Sequence, residues 1–289
     1  MCDFTQKLRQ LSCSRSLPRE TVASVTWSSF ASSPRRLRAA VVGGALLAVM
    51  AGAVLIGIPA QGTQSSSVAP ASFAPVSRVI GHSVKGRKIV ATRYGDPEAT
   101  RVVVAIGVIH GNEQGGLPIV RRLIASGAPA HTAMWIIPTV NPDGQVHYTR
   151  RNAHGVDLNR NTTDQWHKGP HDVFYPGPRA RSEPETRAYM NFLARLRPDF
   201  VAIFHQHGNA IDSYNAKDPA IVAGLASRFG LPVKSFACSG VCHGTLTGWF
   251  NSSFPGSANT IELPAFVTNA KADRYSAGFL SESQVVPDH

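Results

Sequence analysis

The chain has 289 residues, of which 43% are hydrophobic, so it is long enough to bury one substantial core and is not disordered throughout. Its formal net charge is +11 at pH 7, yet the lysines and arginines are scattered, without a basic helix or an alternation of basic with aromatic residues. This distribution argues against nucleic acid as a partner. A moderately basic body instead suits an anionic neighbourhood, such as a cell wall or an acidic peptide.

An uncharged apolar run covers residues 39–60, directly after Arg35, Arg36 and Arg38. This is the outline of an export signal, and about 20 apolar residues are also enough to span the hydrocarbon core of a bilayer. In both cases the arginines stay on the cytoplasmic side and the chain that follows lies outside. We therefore predict that residues 1–60 are a leader, cleaved or retained as a membrane anchor, and that the rest of the protein is extracytoplasmic.

The segment after the leader, residues 61–75, is rich in Ser, Ala and Pro and cannot bury enough apolar surface to fold. It is predicted to be a flexible linker to a folded domain at residues 76–289. That domain contains Cys238 and Cys242. In an oxidising compartment these cysteines are expected to form a disulfide that closes a short loop.

Short apolar runs without helical periodicity predict the buried strands of the domain. They cover residues 101–109, 133–140, 200–204 and 259–263. Continuous rather than alternating apolarity is typical of strands that are covered on both faces.

Amphipathic segments between these runs predict helices over residues 114–126, 182–196 and 219–229. Strands that alternate with helices predict an α/β fold with a mixed, largely parallel sheet flanked by helices. In such sheets ligands bind at the carboxyl ends of strands. The polar motifs of this chain follow those ends.

The first polar motif is His110, which follows the apolar strand ending at Ile109, with Glu113 three residues later. Gly111 between them permits a sharp turn from strand to helix. The H-x-x-E spacing by itself is a weak signal of a metal site. Glu113 would equally suit the N-terminus of the next helix as a partner for its dipole, with His110 as an ordinary loop residue.

Six motifs occur in order along the chain and together strengthen this signal. They are H-G-N-E at 110–113, N-P-D-G at 141–144, R-x-N-x-x-G-V-D-L-N-R-N at 150–161, S-E-P-E-T at 182–186, a strand-borne histidine at 205 and T-I-E-L-P at 260–264. Over residues 80–267 the set resembles the zinc carboxypeptidase family, and within it the bacterial murein peptide amidases. The resemblance implies a hydrolase with one bound zinc ion.

For the metal, the resemblance implies the ligands His110, Glu113 and His205. A catalytic zinc site takes three protein ligands and keeps a fourth position for water, and two histidines with one glutamate are the ligand set of carboxypeptidase A. His207 is the alternative third ligand, because a spacing of two would place it on the same side of a strand as His205.

Four further residues take roles from the resemblance. Glu262, at the end of a short strand, matches the general base and acid of the family. Arg150 matches the arginine that stabilises the oxyanion, and its neighbour Arg151 is the alternative. Asn159 and Arg160 match the pair that binds the terminal carboxylate of the substrate, for which a planar guanidinium is well shaped.

Some features depart from the family pattern or are interpreted as structural. Thr162 stands where an aromatic residue is usual, which would alter the floor of the pocket. The tyrosine that closes over substrate has no clear counterpart, with Tyr214 and Tyr275 as candidates. Ser182 and Glu183 are interpreted as the N-terminal cap of the helix that follows.

The resemblance and the export signal together predict hydrolysis of an amide bond in a peptide with a free carboxylate. A peptidoglycan-derived peptide, such as one with a γ-D-glutamyl-diaminopimelate bond, is the expected substrate, and the membrane is a partner only through residues 39–60. The competing hypotheses are a general metallocarboxypeptidase, an aspartoacylase-like deacylase and a wall-binding protein without turnover. The G-V-D-L-N-R-N block favours a peptidase over a deacylase, and the presence of Glu262 beside a full ligand set favours an enzyme.

Overall fold

The computed structural model describes residues 73–237 and 242–285. The predictions about the apolar run at 39–60, about most of the linker at 61–75 and about Cys238 therefore fall outside the described residues. Within the described part, no helix combines the length and the apolar composition needed to cross a bilayer.

Eight strands of the described residues form one mixed sheet. They are β1 (Val76–His82), β2 (Lys88–Gly95), β3 (Arg101–Ile106), β4 (Thr132–Ile137), β5 (Phe200–Gln206), β6 (Ala210–Asp212), β7 (Val233–Lys234) and β8 (Ser257–Leu263). Their spatial order is β1-β2-β4-β3-β5-β8-β6-β7. The sheet is parallel from β4 through β3 and β5 to β8, and antiparallel pairing joins β1 to β2, β2 to β4 and β6 to β8.

Helices cover both faces of this sheet. They are α1 (Gly116–Ser126), α2 (Pro142–His147), α3 (Pro184–Leu196), α4 (Pro219–Phe229), α5 (Leu246–Ser253) and α6 (Asn269–Ser283). Helices α1, α4 and α6 pack on one face around Leu123, Leu225 and Phe279. Helices α3 and α5 pack on the other face around Leu193 and Phe250. Because both faces are covered, most residues of the parallel strands are buried, which explains their continuous apolar sequences.

The predicted fold class, a mixed sheet flanked by helices, is confirmed. Two strands end earlier than predicted, at Ile106 instead of 109 and at Ile137 instead of 140. After these points the chain leaves the sheet, and two backbone bonds, from the Gly107 amide to the Ile137 carbonyl and from the Val140 amide to the Val108 carbonyl (2.9 Å each), join the two segments. The residues after these strand ends are therefore outside the hydrogen-bond ladder of the sheet, and their side chains can form a site.

Seven elements are not predicted by the apolar pattern. They are β1, β2, β6, β7, α2, α5 and α6. Strand β1 lies at the edge of the sheet and is mostly exposed, so its sequence carries no apolar run. Strands β6 and β7 have only three and two residues, too few for any periodicity to appear.

Candidate metal centre and active site

The predicted site residues converge at the carboxyl ends of neighbouring parallel strands. His110 and Glu113 follow β3, His205 lies in β5, and Glu262 lies in β8 directly opposite His205 in the strand register. The carboxyl edge of a parallel sheet is where an α/β fold can bring residues that are distant in sequence to one place. Because β3 and β5 are neighbours in the sheet, His110 and His205 lie close together although they are far apart in sequence.

The loops that carry these residues pack closely on each other. A Cβ atom at Gly111 would lie 1.9 Å from the carbonyl carbon of Gly144, so the H-G-N-E and N-P-D-G loops can touch only with glycine at 111. Asn141 Nδ2 donates to the carbonyl oxygens of Ile109 (3.1 Å) and Arg150 (3.3 Å). One buried amide thus fixes the loop that carries His110 against the segment that carries Arg150.

Three ligand-type atoms meet in a buried cluster. Glu113 Oε2 lies 2.9 Å from His110 Nδ1 and 3.1 Å from His205 Nδ1, and the two Nδ1 atoms are 3.2 Å apart. Ligand atoms about 2 Å from one tetrahedral zinc ion lie roughly 3.3 Å from one another, close to these separations. Within the described part of the chain, this is the one group of three or more such residues that could hold a metal ion.

Electrostatics at the cluster favour a cation. Burial alone would raise the pKa of Glu113, but His110 and His205 outweigh burial and hold that pKa far below its ordinary value. Burial by itself lowers the pKa of His110, yet the carboxylates of Glu113 and Asp157 outweigh it, so this pKa is raised. The cluster therefore keeps an anionic carboxylate and favours positive charge at its centre, as a divalent metal ion would supply.

Asp157 is a site residue that sequence reasoning leaves without a role. Its Oδ1 lies 3.1 Å from His110 Nε2 and accepts from the Asn159 amide (2.9 Å), and its Oδ2 accepts from Arg150 Nε (2.9 Å). A histidine that donates Nε2–H to a carboxylate presents its Nδ1 lone pair to a metal. In the sequence, the feature that could have identified Asp157 is its acidic side chain two positions before Asn159. The motif that contains it is otherwise assigned to substrate binding.

Arg150 lies beside the metal cluster. Its Nη1 donates to Glu113 Oε1 (3.0 Å), and its guanidinium also contacts Asp157. The side chain is about one-fifth exposed (19%) and lines the pocket that opens onto the metal cluster. Arg151, the competing candidate, donates instead to the carbonyl of Asp172 and is not among the residues that line this pocket.

Glu262 faces the same pocket as the metal cluster. Its Oε2 accepts from the backbone amide of Gly208 (3.1 Å). A Cβ atom at position 208 would lie 2.8 Å from Glu262 Cβ, so glycine lets the backbone approach the carboxylate. The carboxylate is held in place without a cation bound to it among the described residues.

The predicted carboxylate-binding pair also lines this pocket, which has a volume of about 90 Å³. Arg160 is buried, and its Nη1 donates to the carbonyl of Asn159 (2.7 Å). Asn159 Oδ1 in turn accepts from the Leu246 amide (2.8 Å), at the start of α5. The ring of Phe174 lies 5.2 Å from Arg150 Cζ and 5.5 Å from Arg160 Cζ, so one aromatic side chain packs over both guanidinium groups.

One polar part of the pocket lining lies outside the metal cluster and is called the pocket floor below. It comprises Asp212, Thr245, Thr247 and Thr260. The hydroxyl groups of Thr247 and Thr260 are hydrogen-bonded at 2.7 Å, and burial raises the pKa of Asp212. Thr162 does not line the pocket; it is buried and donates its hydroxyl to the Thr245 carbonyl (3.0 Å).

Position in the fold decides which histidine and which tyrosine belong to the site. Strand β5 ends at Gln206, so the strand alternation does not extend to His207, which is exposed, whereas His205 is buried in the cluster. Tyr275 is buried in the core, stacked on Phe229. Tyr214 lines the pocket. The structure therefore brings His205 and Tyr214 to the site, and not His207 or Tyr275.

The predicted start of α3 is borne out in its positions, with Glu183 as the N-cap residue and Glu185 as an acidic residue in the first turn, but not in a side-chain cap. Helix α3 begins at Pro184, and Glu183 makes no side-chain capping bond. Glu183 and Glu185 are both buried, and their carboxylates accept from Asn152 Nδ2 at 2.7 and 3.0 Å. They anchor the segment that follows Arg150, because a carboxylate removed from water costs free energy unless it accepts hydrogen bonds.

Cys242 lines the pocket and is disulfide-bonded. Its predicted partner, Cys238, is outside the described residues. Cys242 Sγ lies 3.6 Å from Arg160 Nη2. The cysteine therefore adjoins the predicted carboxylate-binding arginine.

Comparisons with known proteins agree with this geometry. Residues 74–217 match the family described as Zinc carboxypeptidase. Murein peptide amidase A of Escherichia coli K12 is 27% identical over 176 residues, which cover 56% of this chain and 71% of that protein.

Solved structures with the same fold include carboxypeptidase A from Helicoverpa armigera, with a TM-score of 0.62 and 22% identity over 73% of this chain and 67% of that chain. The murein-tripeptide amidase from Escherichia coli O157 has a TM-score of 0.61 and 23% identity, over 75% of this chain and 95% of that chain. At these identities the two structures establish the fold.

Proposed function

We propose a substrate and a mechanism from the premise that this chain is a zinc carboxypeptidase-family hydrolase. The substrate is a peptide with a free carboxylate, derived from peptidoglycan, and the bond cleaved is the amide between γ-D-glutamate and diaminopimelate. The observation that carries this proposal is the convergence of the His110, Glu113 and His205 cluster with Glu262 and Arg160 in one pocket.

His110, Glu113 and His205 would hold the zinc ion in this pocket. Zinc bound there supplies Lewis-acid chemistry, which polarises the scissile carbonyl and lowers the pKa of a water molecule. Asp157 orients the His110 ring through Nε2. The protein thus contributes a prearranged, buried ligand set.

Glu262, which lines the same pocket as the metal cluster, is the proposed group for proton transfer. It takes a proton from the attacking water and later gives it to the leaving amine, which is general base and then general acid catalysis. Arg150 provides a fixed positive charge beside the metal cluster, where the carbonyl oxygen becomes anionic. Arg160, with Asn159, binds the free carboxylate of the residue that leaves.

The pocket supports a polar leaving residue. Its lining includes Arg160, Asp212 and several threonines, and Phe236 is the one large apolar side chain among the described residues that line it. A diaminopimelate residue carries carboxylate and ammonium groups that such a lining can bind. A peptide ending in a large apolar residue would leave these polar groups without partners, which costs binding free energy.

Comparison of substrates tests the proposal. The zinc-loaded protein is expected to release diaminopimelate from L-Ala-γ-D-Glu-meso-diaminopimelate. Benzoylglycyl peptides ending in Phe or Lys are the comparison substrates. Cleavage of the benzoylglycyl peptides without cleavage of the γ-D-glutamyl peptide would contradict the substrate and support a general metallocarboxypeptidase, the activity named for the relative from Helicoverpa armigera.

The deacylase and wall-binding hypotheses predict different outcomes. An aspartoacylase-like deacylase would release the acyl group of N-acetyl-aspartate and leave the peptides intact. A wall-binding protein without turnover would retain full function in Glu262→Gln, whereas a hydrolase would lose activity in that variant and keep its zinc.

We also propose that the enzyme acts outside the cytoplasmic membrane, delivered by the leader at residues 1–60. The arginines before the apolar run and the composition of residues 61–75 support this location. Fractionation of cells that express the full chain, followed by N-terminal sequencing, distinguishes a cleaved leader from a retained anchor. Recovery of the intact chain in the cytoplasm would contradict the proposal.

A further inference from the structure

One aromatic side chain beside the pocket has no part in the mechanism above. Phe174 lies between Arg160 and α3 in the sequence and is 40% exposed. Its ring centre is 5.2 Å from Arg150 Cζ and 5.5 Å from Arg160 Cζ, with both guanidinium groups over the ring. Both arginines line the pocket. One ring therefore interacts with the two cationic groups to which the mechanism assigns separate tasks.

The two guanidinium groups repel each other, so their shared place needs compensation. Burial lowers the pKa of Arg160, Asp157 and Glu113 oppose this effect, and the positive charge of Arg150 adds to it. The face of an aromatic ring carries partial negative charge and attracts a cation within about 6 Å of the ring centre. Unlike a carboxylate, such a ring stabilises the two cations without neutralising the charge that a substrate carboxylate or oxyanion requires.

Hydrogen bonds of its own segment fix the position of the ring. The Phe174 amide donates to Asp172 Oδ1 (2.7 Å), and the Tyr175 carbonyl accepts from the Asp157 amide (2.9 Å). The Asp172 carbonyl accepts from Arg151 Nη1 (2.9 Å). The segment is therefore joined, on both sides of the ring, to the motif that carries both pocket arginines.

We propose that Phe174 is a positioning residue, whose ring holds the Arg150 and Arg160 guanidinium groups in place through a shared cation–π interaction. The inference rests on the proposed function of this pocket and extends it to the support of its two cations. Arg150 is assigned to charge that develops in the transition state, and Arg160 to a carboxylate that is present throughout the reaction. Loss of the ring should therefore lower kcat through Arg150 and raise KM through Arg160.

Two substitutions separate the aromatic face from apolar bulk. Phe174→Leu keeps an apolar side chain and removes the ring, whereas Phe174→Tyr keeps the ring face. In the zinc-loaded full chain, Phe174→Leu is expected to lower kcat and raise KM, each by about 3- to 10-fold, the worth of one cation–π interaction at a partly exposed site. Phe174→Tyr should stay within about twofold of the wild type on both constants. Wild-type constants in Phe174→Leu, or equal losses in both variants, would overturn the proposal.

Phe73→Leu is the matched control, because Phe73 is also 40% exposed and does not line the pocket. It should keep the kcat and KM of the wild type. The zinc content and the melting temperature of Phe174→Leu should also equal those of the wild type, since the metal ligands remain and the ring is partly exposed. The proposal fails if Phe73→Leu loses as much activity as Phe174→Leu, or if loss of zinc accounts for the whole effect of Phe174→Leu.

Arg160→Gln separates the two arms of the interaction. In this background Phe174→Leu should no longer raise KM, because the group that binds the carboxylate is gone, but it should still lower kcat through Arg150. The same rise in KM in both backgrounds would exclude Arg160 as a group through which Phe174 acts, and the shared position would be overturned.

Failure of the proposed substrate can be told apart from failure of this inference. If the wild type cleaves only the benzoylglycyl peptides, the γ-D-glutamyl substrate fails, and the variants are compared on a benzoylglycyl peptide with the same expectation. Labelling with phenylglyoxal, which modifies arginine, needs no turnover. Arg150 and Arg160 should react about 3- to 10-fold faster in Phe174→Leu than in the wild type or Phe174→Tyr, with Arg151 as the internal reference in peptide mass spectrometry. Equal labelling in the three proteins would overturn the proposal whatever the substrate is.

Discussion

At the metal end of the pocket, formed by His110, Glu113 and His205 with Asp157 and Arg150, all four oxygens of the two carboxylates contact a neighbouring donor. At the pocket floor, Asp212 has both of its backbone bonds on one oxygen, and the threonines bond chiefly to one another and to the backbone. The metal end is cross-linked by charged side chains. The floor has a shape fixed by the backbone and keeps polar groups available to a ligand.

This difference corresponds to two chemical requirements. A metal ion needs its ligands within a few tenths of an ångström of their bound positions, and surrounding hydrogen bonds supply that order in advance. A substrate side chain is recognised by the groups that it pairs with, so a carboxylate oxygen available to a ligand is useful at the pocket floor. At the metal end, a carboxylate that is not held by hydrogen bonds would be less well positioned for the ion. Changes at the metal end should therefore abolish activity, and changes at the floor should redirect it.

The largest effect is expected from His205→Ala at the metal end. Removal of one of three ligands should abolish hydrolysis and lower zinc affinity by more than about 100-fold. Loss of only a hydrogen-bond partner of a ligand typically lowers metal affinity by about 10- to 100-fold, and loss of the ligand itself should cost more. Metal titration with a competing chelator measures this affinity. The control is His207→Ala, because His207 is exposed and outside the cluster. Loss of zinc from the control and not from His205→Ala would contradict the ligand assignment.

Glu262→Gln tests whether the metal end and the catalytic carboxylate are separable. The variant should keep its zinc, since Glu262 contacts the Gly208 amide and is not in the ligand cluster. Its kcat should fall by about 10²–10⁴-fold, the usual contribution of general acid–base catalysis. Zinc content and steady-state rates are measured on the same sample, with the exposed Glu98→Gln as a matched control. A wild-type rate in Glu262→Gln would exclude this residue as the base.

Asp157→Asn tests the hydrogen bonds that join Asp157 to His110 and Arg150 at the metal end. The variant weakens the contacts to His110 and Arg150 without removing a ligand, so zinc affinity should fall by about 10- to 100-fold. Activity should recover when zinc is supplied in excess, because the ligands remain. An unchanged zinc affinity would show that the hydrogen bonds around the metal end contribute little to metal binding.

The smallest of these effects is expected from Arg160→Lys, on the substrate side. Lysine keeps the charge and loses the planar, two-pronged geometry, so KM should rise about tenfold, the worth of roughly one hydrogen bond to a charged group. Zinc affinity should not change, which contrasts with the variants at the metal end. Arg151→Lys is the control, since Arg151 binds the Asp172 carbonyl outside the pocket. A large fall in zinc affinity in Arg160→Lys would break the comparison between the two ends.

Much of the fold and of the metal end can be predicted from sequence because the relevant signals are local. Buried parallel strands appear as apolar runs, and His110 and Glu113 lie at a fixed spacing directly after one of them. Glu262 lies in the same way within a strand-end motif. The edge strands escape prediction because they are exposed and short, so no periodic pattern identifies them.

The sequence by itself determined the chemical inventory of the protein: two candidate metal ligands at local spacing, a carboxylate in a strand-end motif and the Asn159–Arg160 pair predicted to bind a carboxylate. Only the tertiary structure decided that His205 rather than His207 enters the cluster, that Asp157 orients His110, and that Asp212 reaches the pocket. The physical reason is strand order. Strand β8 lies between β5 and β6 although it comes last in the chain, so the side chains that share the pocket are neighbours across strands, which spacing along the sequence cannot reveal.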